Sequence, residues 1–570
     1  MKIKNNYRIC VFLIVFLFFG TCFTPVSFSQ RIDQKYEQSI MMDEGQILYS
    51  PIYNTFTYLR EYDWTLNHTW TSSNLPGVSV WWLGDGTILR SIRVGANPTG
   101  GAGGGVQEVE WDGTIVWDFR YNTNGVLSHH DIKTLPNGNV LMIAWEEKTR
   151  AEAIEAGKNP NLVPFTGLSP DHIIEVEPTG PSSGDIVWEW HAWDHLIQDY
   201  DSSKDNYGVV EDHPELIDIN YGGSSQQWDM MHTNSIDYNE EFDQILISVH
   251  NYHEIWVIDH STTTEEAAGH SGGNSGMGGD LLYRWGNPQA YDRGSSSDQK
   301  LFSQHDATWI KEGYPGEGNI LVFNNGGNRH YSSVDEIISP VDENGEYYLE
   351  EGEAYGPNTQ TWTYTASPPS SFYSHNLGGA HRLENGNTLI SYSTGGKVFE
   401  VTPDNTKVWE ESIGGHFFKV VYIPPPELPE PEIPDLECHG SVNLNDVESG
   451  STVYETFEVS NNGGPNSFLN WEIESYPDWG TWTFQPTSGE NLTPDDGSIT
   501  VDISIEVPLE ENTEFEGYIT VVNLDDANDT DVIPVYIKTP IYRTINQPFL
   551  QFLKNHPILF SIMRLFALSF

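Results

Sequence analysis

The sequence predicts an all-β chain: a six-bladed β-propeller followed by a small immunoglobulin-like β-sandwich. Three observations carry that expectation. A turn-strand-strand-strand theme recurs between about Glu44 and Ile423, and repetition sets architecture. Aromatic residues make up 13% of the chain and 52 of its 570 residues are glycine, the mixture that many short strands and tight turns require. A proline-rich segment then separates the repeats from a second stretch of alternating pattern, as expected for a chain too long for one core.

Taken in order, the first thirty residues place Lys2, Lys4 and Arg8 ahead of an apolar run from Cys10 to Phe19 and close on Val26-Ser27-Phe28-Ser29-Gln30. This predicts a signal peptide over 1–30, removed near Ser29 or Gln30, and a secreted, periplasmic or cell-surface product. Cys22 would suit a lipoprotein anchor, but Phe19-Gly20-Thr21 fits that signal poorly. Of the 3 cysteines only Cys438 lies beyond the leader, so the mature chain is expected to form no internal disulfide.

The repeats occupy 44–423. Asp85-Gly86-Thr87-Ile88-Leu89 leads to Val106–Val109 and Thr114–Trp117; Asn137-Gly138-Asn139-Val140-Leu141 leads to Ile173–Val176 and Asp185–Trp188. A third copy starts at Asp243, a fourth is interrupted after Leu321, and a fifth runs from Asn385 to Glu410. Gln46–Tyr49 and Thr55–Glu61, with His416–Tyr422, complete a sixth. Such meanders cannot bury their own faces and must stack radially, the alternative being a large array of β-sandwiches.

Residues 424–435, with Pro424-Pro425-Pro426-Glu427-Leu428-Pro429, form a stiff acidic linker. Over 436–540 the apolar-polar alternation of Tyr454–Ser460, Leu469–Glu474, Ser498–Val507, Gly517–Val522 and Val532–Lys538 predicts the sandwich. With Asn461-Asn462-Gly463-Gly464 and Leu469-Asn470-Trp471, it resembles the BACON-like modules appended to secreted bacterial enzymes. The tail, 541–570, sets Arg543, Lys554 and Arg564 among phenylalanines and leucines. It reads as an amphipathic helix that touches a membrane or cell surface, or as an ordinary docking helix.

The formal charge of -55 argues against a nucleic-acid partner. Chemistry is carried by histidines that recur just ahead of the first strand of successive repeats: His130 in Ser128-His129-His130-Asp131, His232 in Met231-His232-Thr233-Asn234, and His305 in Gln304-His305-Asp306. Equivalent positions in a propeller converge on one end of its axis. His381 lies near the corresponding place in the fifth repeat, and His250 ends the first strand of the third.

On these motifs, with Leu135-Pro136-Asn137-Gly138-Asn139 after His130, the chain resembles the arylsulfate sulfotransferase family over about residues 70 to 420. The resemblance implies a six-bladed propeller with a site in its central channel, which passes a sulfuryl group from an aryl sulfate to a phenol without a nucleotide donor, and with no cofactor or metal. It implies His305 as the histidine that becomes sulfurylated, His232 and Asn234 as the family's His-x-Asn motif, and His130 as a further channel histidine. A neutral imidazole can attack sulfur, His130 or His232 can carry the phenolic proton, and Asn234 can hold sulfuryl oxygens. Where the family carries Arg, this chain has His250; Arg329 or Arg382 could supply the missing guanidinium. Two other readings stand beside this one. A non-catalytic binding propeller at the cell surface is the first. The second is a metal-dependent enzyme in which the histidines join Asp131 or Asp306 around zinc, copper or iron, although adjacent His129 and His130 should point to opposite faces of a strand.

Overall fold

The structure, a computed structural model, describes residues 44–95, 100–101, 103–221, 227–425, 433–541, 551–552 and 554–558. The expected leader, residues 426–432 of the expected linker and nearly all of the expected tail lie outside the described residues. Contacts divide the chain between Pro425 and Pro426 into two units, and both are all-β. Among the described residues no helix is long and apolar enough to cross a membrane.

The first unit is built from six four-stranded antiparallel sheets that follow one another along the chain. Their innermost strands are Gln46–Tyr49, Pro76–Gly84, Val126–Thr134, Thr233–Asn239, His305–Trp309 and Gly379–Arg382, except that in the first sheet Val421–Ile423 lies inside Gln46–Tyr49. That C-terminal strand pairs antiparallel with the N-terminal one, Gln46 facing Ile423 and Leu48 facing Val421. The Asn-Gly-Asn turns form for a local reason and a distant one. Gly138 takes the left-handed φ of +87° that the turn needs, and Asn139 donates to Glu175 at 2.5 Å in the third strand of its sheet. Asn319 with Glu336 and Asn387 with Glu400 repeat that bond, each at 2.6 Å.

Each sheet shares an apolar layer with the next. Leu89 and Trp117 meet Ile132 and Met142 between the second and third sheets. Leu246 and Tyr283 meet Val322 and Ile337 between the fourth and fifth, and Phe323 meets Ile390 and Phe399 between the fifth and sixth. Alternation in Gln46–Tyr49 then closes the ring: Ile47 and Tyr49 pack on Leu389 and Val398 of the sixth sheet, while Leu48 turns the other way to Val80 and Ile88 of the second. Both faces of such a strand are buried, which is why these segments read as nearly continuous apolar runs. Each fully buried Leu or Ile contributes about 1.5–3 kcal/mol.

Polar ties cross the centre. Lys419, 2% exposed in its side chain, donates to Asp131 at 2.8 Å and Asp306 at 2.7 Å. Asp131 also accepts from Ser79 Oγ at 2.5 Å and from the Ile236 N–H at 3.4 Å, and Asp306 accepts from the Ala380 N–H at 3.1 Å. One network thus touches the inner strands of the second to sixth sheets, with Lys419 two residues ahead of Val421–Ile423. Burial would lower the ammonium's pKa, but the two carboxylates outweigh it and raise it.

The second unit packs a four-stranded sheet (Leu436–Gly440, Thr452–Asn461, Ile499–Glu506, Thr481–Gln485) and a five-stranded one (Val442–Leu444, Thr530–Lys538, Glu514–Asn523, Leu469–Ser475, Ser488–Leu492) around Trp471, Phe457, Ile503 and Ile519. Cys438 is buried there as a free thiol.

Lys419→Met leaves two buried carboxylates without their cation, so the unfolding free energy of the first unit is expected to fall by about 3–5 kcal/mol. The check is the urea midpoint of its tryptophan fluorescence transition. A fall within about 0.5 kcal/mol, the size of an ordinary surface substitution, would sink the assigned role.

Candidate active site

The inner strands are bulged where the histidines sit. Register slips between Ser128 and Ile132, between Thr233 and Ser235, and between His305 and Ala307. His130, His232 and Asp306 adopt left-handed φ values of 51°, 57° and 51°, uncommon for residues with a Cβ. His130 therefore lies within its strand and His305 opens its own, while His232 precedes the strand as the sequence indicates. The same bulge overturns the expectation that His129 and His130 point apart: their Nδ1 atoms are 2.8 Å from each other, because the left-handed residue breaks the two-residue alternation. His129 stacks on Trp145 with ring centroids 3.9 Å apart and sets Nε2 3.3 Å from Asp171.

Four of the sequence-predicted residues come together as a row of edge-to-face imidazoles. His130 and His232 are 4.6 Å apart between centroids, His232 and His250 5.1 Å, and His250 and His305 5.7 Å. No three of them bring ligand atoms within 4.8 Å of one another. The backbone of Gly101 lies on His130: its carbonyl accepts the His130 N–H at 2.6 Å, and a Cβ there would stand 1.9 Å from the ring.

Neighbouring amides decide which nitrogen of each ring carries the proton. Asn325 donates from Nδ2 to the carbonyls of Ser374 and Leu377, both at 2.7 Å, so its oxygen is the atom that faces His305 Nδ1 at 2.8 Å. Nδ1 of His305 is then the N–H and Nε2 holds the lone pair, with the Leu377 N–H 3.3 Å away. Asn251 repeats the device. Its Nδ2 donates to the Asp229 carbonyl at 3.0 Å and its oxygen meets His250 Nδ1 at 2.9 Å.

The rings differ in charge. Burial lowers His305 to about 3 and His250 to about 4, and drives His130 well below its ordinary range, with the neighbouring imidazoles adding to the effect. His232 goes the other way. Burial opposes its charge, yet the bond from Nδ1 to Asp229 at 2.5 Å and the charges of Asp229 and Asp171 raise its pKa. With a 23% exposed side chain, it is the member of the row whose charged form its neighbours favour.

The other predicted residues sit apart from the row. Asn234 is fully buried and its amide donates to the Gln304 carbonyl at 2.8 Å, next to His305. His381 packs beside Asp306, Nε2 to carboxylate 3.9 Å. The Arg329 guanidinium lies over Phe302 and Tyr331, 5.0 and 4.7 Å from the ring centroids, and donates to Ser333. Arg382 pairs with Glu336. Asp229, Asn251, Asn325 and Lys419 were not anticipated; of these Asp229, three residues before His232, and Asn251, directly after His250, lie close to their partners in sequence.

An all-β ring of six sheets thus gathers a row of four imidazoles from its inner strands and their flanks, three with lowered pKa values and one with a raised value. The arylsulfotransferase (ASST) family model matches residues 80–415, more than half of the chain, and the chain belongs to that family. No curated protein matches. Among solved structures, a protein of unknown function from Bacteroides caccae is 12% identical, with 67% of this chain and 99% of that chain covered at a TM-score of 0.38. Virginiamycin B lyase from Staphylococcus aureus is 10% identical over 66% and 85% of the two chains at a TM-score of 0.33. Likeness at this level bears on neither activity nor substrate.

Because the His232 pKa is raised, its pair with Asp229 stabilises the fold fully below about pH 6.5 and ceases to do so as pH rises through the raised value. Asp229→Asn is expected to lower the His232 midpoint by at least about one unit, followed by NMR of the imidazole Cε1–H. An unchanged midpoint would assign the raised value to Asp171 instead.

Proposed function

We propose that this chain is a secreted enzyme that moves a sulfuryl group from an aryl sulfate to a phenol through a covalent sulfohistidine at His305, in the channel of a six-bladed β-propeller. The immunoglobulin-like sandwich over 436–540 is an appended module. Membership of the arylsulfotransferase family supports sulfuryl transfer and small aromatic substrates. The observation that carries this reading is the amide lock on His305; His250 has the same lock, and the family resemblance decides between them. Asn325 holds the proton on Nδ1, and burial keeps the ring neutral, so Nε2 keeps its lone pair across the whole physiological range, accepting the Leu377 N–H at 3.3 Å until substrate displaces it.

In the first half-reaction the Nε2–S bond forms, the S–O(aryl) bond breaks, and the phenolate leaves with the electron pair. His232, charged beside Asp229, gives that oxygen its proton. The Leu377 N–H, which donates to Nε2 at 3.3 Å before reaction, is released when that lone pair bonds sulfur and can then donate to a sulfuryl oxygen as charge builds there. In the second half-reaction a new phenol oxygen attacks sulfur, its proton passes to neutral His232, and the N–S bond returns its pair to His305. The cycle consumes no net proton.

The cationic role expected of arginine falls in this scheme to His232 rather than to His250, which is neutral and committed to Asn251. Asn234 acts as a positioning residue, holding the Gln304 carbonyl one residue before the nucleophile. Sulfate recognition then depends on pH, because His232 contributes charge only when protonated.

With a chromogenic nitrophenyl sulfate and no acceptor, rapid mixing is expected to release one equivalent of nitrophenol per chain and to leave the mass of one SO₃ on His305. His305→Ala should remove the burst and lower turnover with phenol by at least about 10³-fold. A burst that survives in His305→Ala would refute the assignment. For the wild type, kcat/KM should fall on the alkaline side as His232 loses its proton, and Asp229→Asn should move that limb to lower pH.

A further inference from the structure

Away from the central row, three side chains converge between the third and fourth sheets. His195 ends the short helix Ala192–His195 that follows the outer strand Ser183–His191, and His270 lies in the loop after Thr264–Ala267. Asp280 immediately precedes the outer strand Leu281–Trp285. His195 Nδ1 and His270 Nδ1 both stand 2.8 Å from the same oxygen of Asp280, Oδ1. Among the described residues this is the one group of three such side chains whose ligand atoms lie within 4.8 Å of one another.

The hydrogen bonding of His195 makes the arrangement telling. Its side chain is fully buried, and Nε2 is 2.8 Å from the Ala267 carbonyl, which can only accept, so Nε2 carries a hydrogen. In a neutral ring Nδ1 is then a lone pair aimed at a carboxylate oxygen, an acceptor against an acceptor. His270 brings a second Nδ1 to the same atom. A positive centre resolves the conflict, either a proton on Nδ1 or an ion shared by all three side chains, and the convergence of a second imidazole on the same oxygen favours the ion. An imidazole fixed by an N–H bond to a backbone carbonyl on one side and free to coordinate on the other is how metal-ligating histidines are held.

The surroundings are built to the same point. A Cβ on Gly279 would lie 2.0 Å from the Ala267 carbonyl oxygen and 2.6 Å from His195 Nε2, so only glycine admits this approach. Trp190 lies parallel to the His195 ring at 5.7 Å and donates to the Gly279 carbonyl at 2.7 Å. The 2.8 Å edges need to open only slightly to reach the separation of about 3.3 Å that follows from tetrahedral zinc with bonds of about 2.0 Å. His270, 62% exposed in its side chain, leaves one side to solvent.

We infer that His195, His270 and Asp280 form a binding site for a divalent transition metal of zinc-like character, with water as fourth ligand. Two imidazoles and one carboxylate suit a borderline ion rather than calcium or magnesium. The ion ties the loop 260–280 to the segment that leaves the third sheet, at the outer edge of the ring. This assignment is independent of the sulfuryl-transfer scheme.

Zn²⁺ titrated by calorimetry into the full secreted chain, freed of metal by a chelator, is expected to bind one ion per chain, and Co²⁺ in its place should give the visible spectrum of a four-coordinate site. His270→Ala, at an exposed position, should weaken zinc at least about tenfold. It should also abolish the zinc-dependent rise in Tm while leaving nitrophenyl sulfate turnover unchanged. His232→Ala should leave zinc binding intact. No binding by the wild type overturns the inference, as does binding that persists in His270→Ala or vanishes in His232→Ala.

Discussion

One ammonium group holds the middle of the first unit. Lys419 bridges Asp131 and Asp306, residues 288 and 113 positions away in the chain, and through the oxygens of these two carboxylates the inner strands of the second to sixth sheets are bonded to the same centre. Apolar layers between sheets are tolerant of small sliding, since any similar side chain fills the space. Hydrogen bonds to a buried charge are not, and they set the angular position of each sheet about the axis. The bulges that carry the histidines flank this network: Asp131 follows His130, and Asp306 follows His305.

That adjacency gives the site its character. The left-handed residues that bring Asp131 and Asp306 to the lysine also bring imidazoles into a row, so structure and chemistry share the same few strained positions. Within the row, protonation is set by neighbours rather than by burial alone. Amide groups whose own orientation is fixed by backbone carbonyls assign a tautomer to His305 and His250, and a carboxylate assigns a charge to His232. Groups of one residue type within one row thus differ in charge and tautomer.

The repeats, the turns and the four histidines of the row were all visible in the sequence, because each is a local pattern that recurs. What escaped depends on pairing across long separations. Nothing near Asn325 announces that its amide oxygen faces a ring 20 positions earlier, and Lys419 looks like any lysine ahead of an apolar strand. The bulges reversed the expected divergence of His129 and His130, since period-two reasoning holds only for an unbroken ladder. In the second unit the strand Ser488–Leu492 buries only Leu492, so it carried no alternation to read. The arginines that could have stood in for the one the family resemblance implies are engaged elsewhere, Arg329 over two aromatic rings and Arg382 with Glu336.

The pairing of Gln46–Tyr49 with Val421–Ile423 also orders events in time. A chain synthesised from its N-terminus cannot complete its first sheet until residue 423 has emerged, and Lys419 arrives only then. Until residue 423 of 570 has emerged, the growing ring has an open sheet edge at its start and an unneutralised pair of aspartates at its centre. An open edge of this kind is where strands of other copies would add.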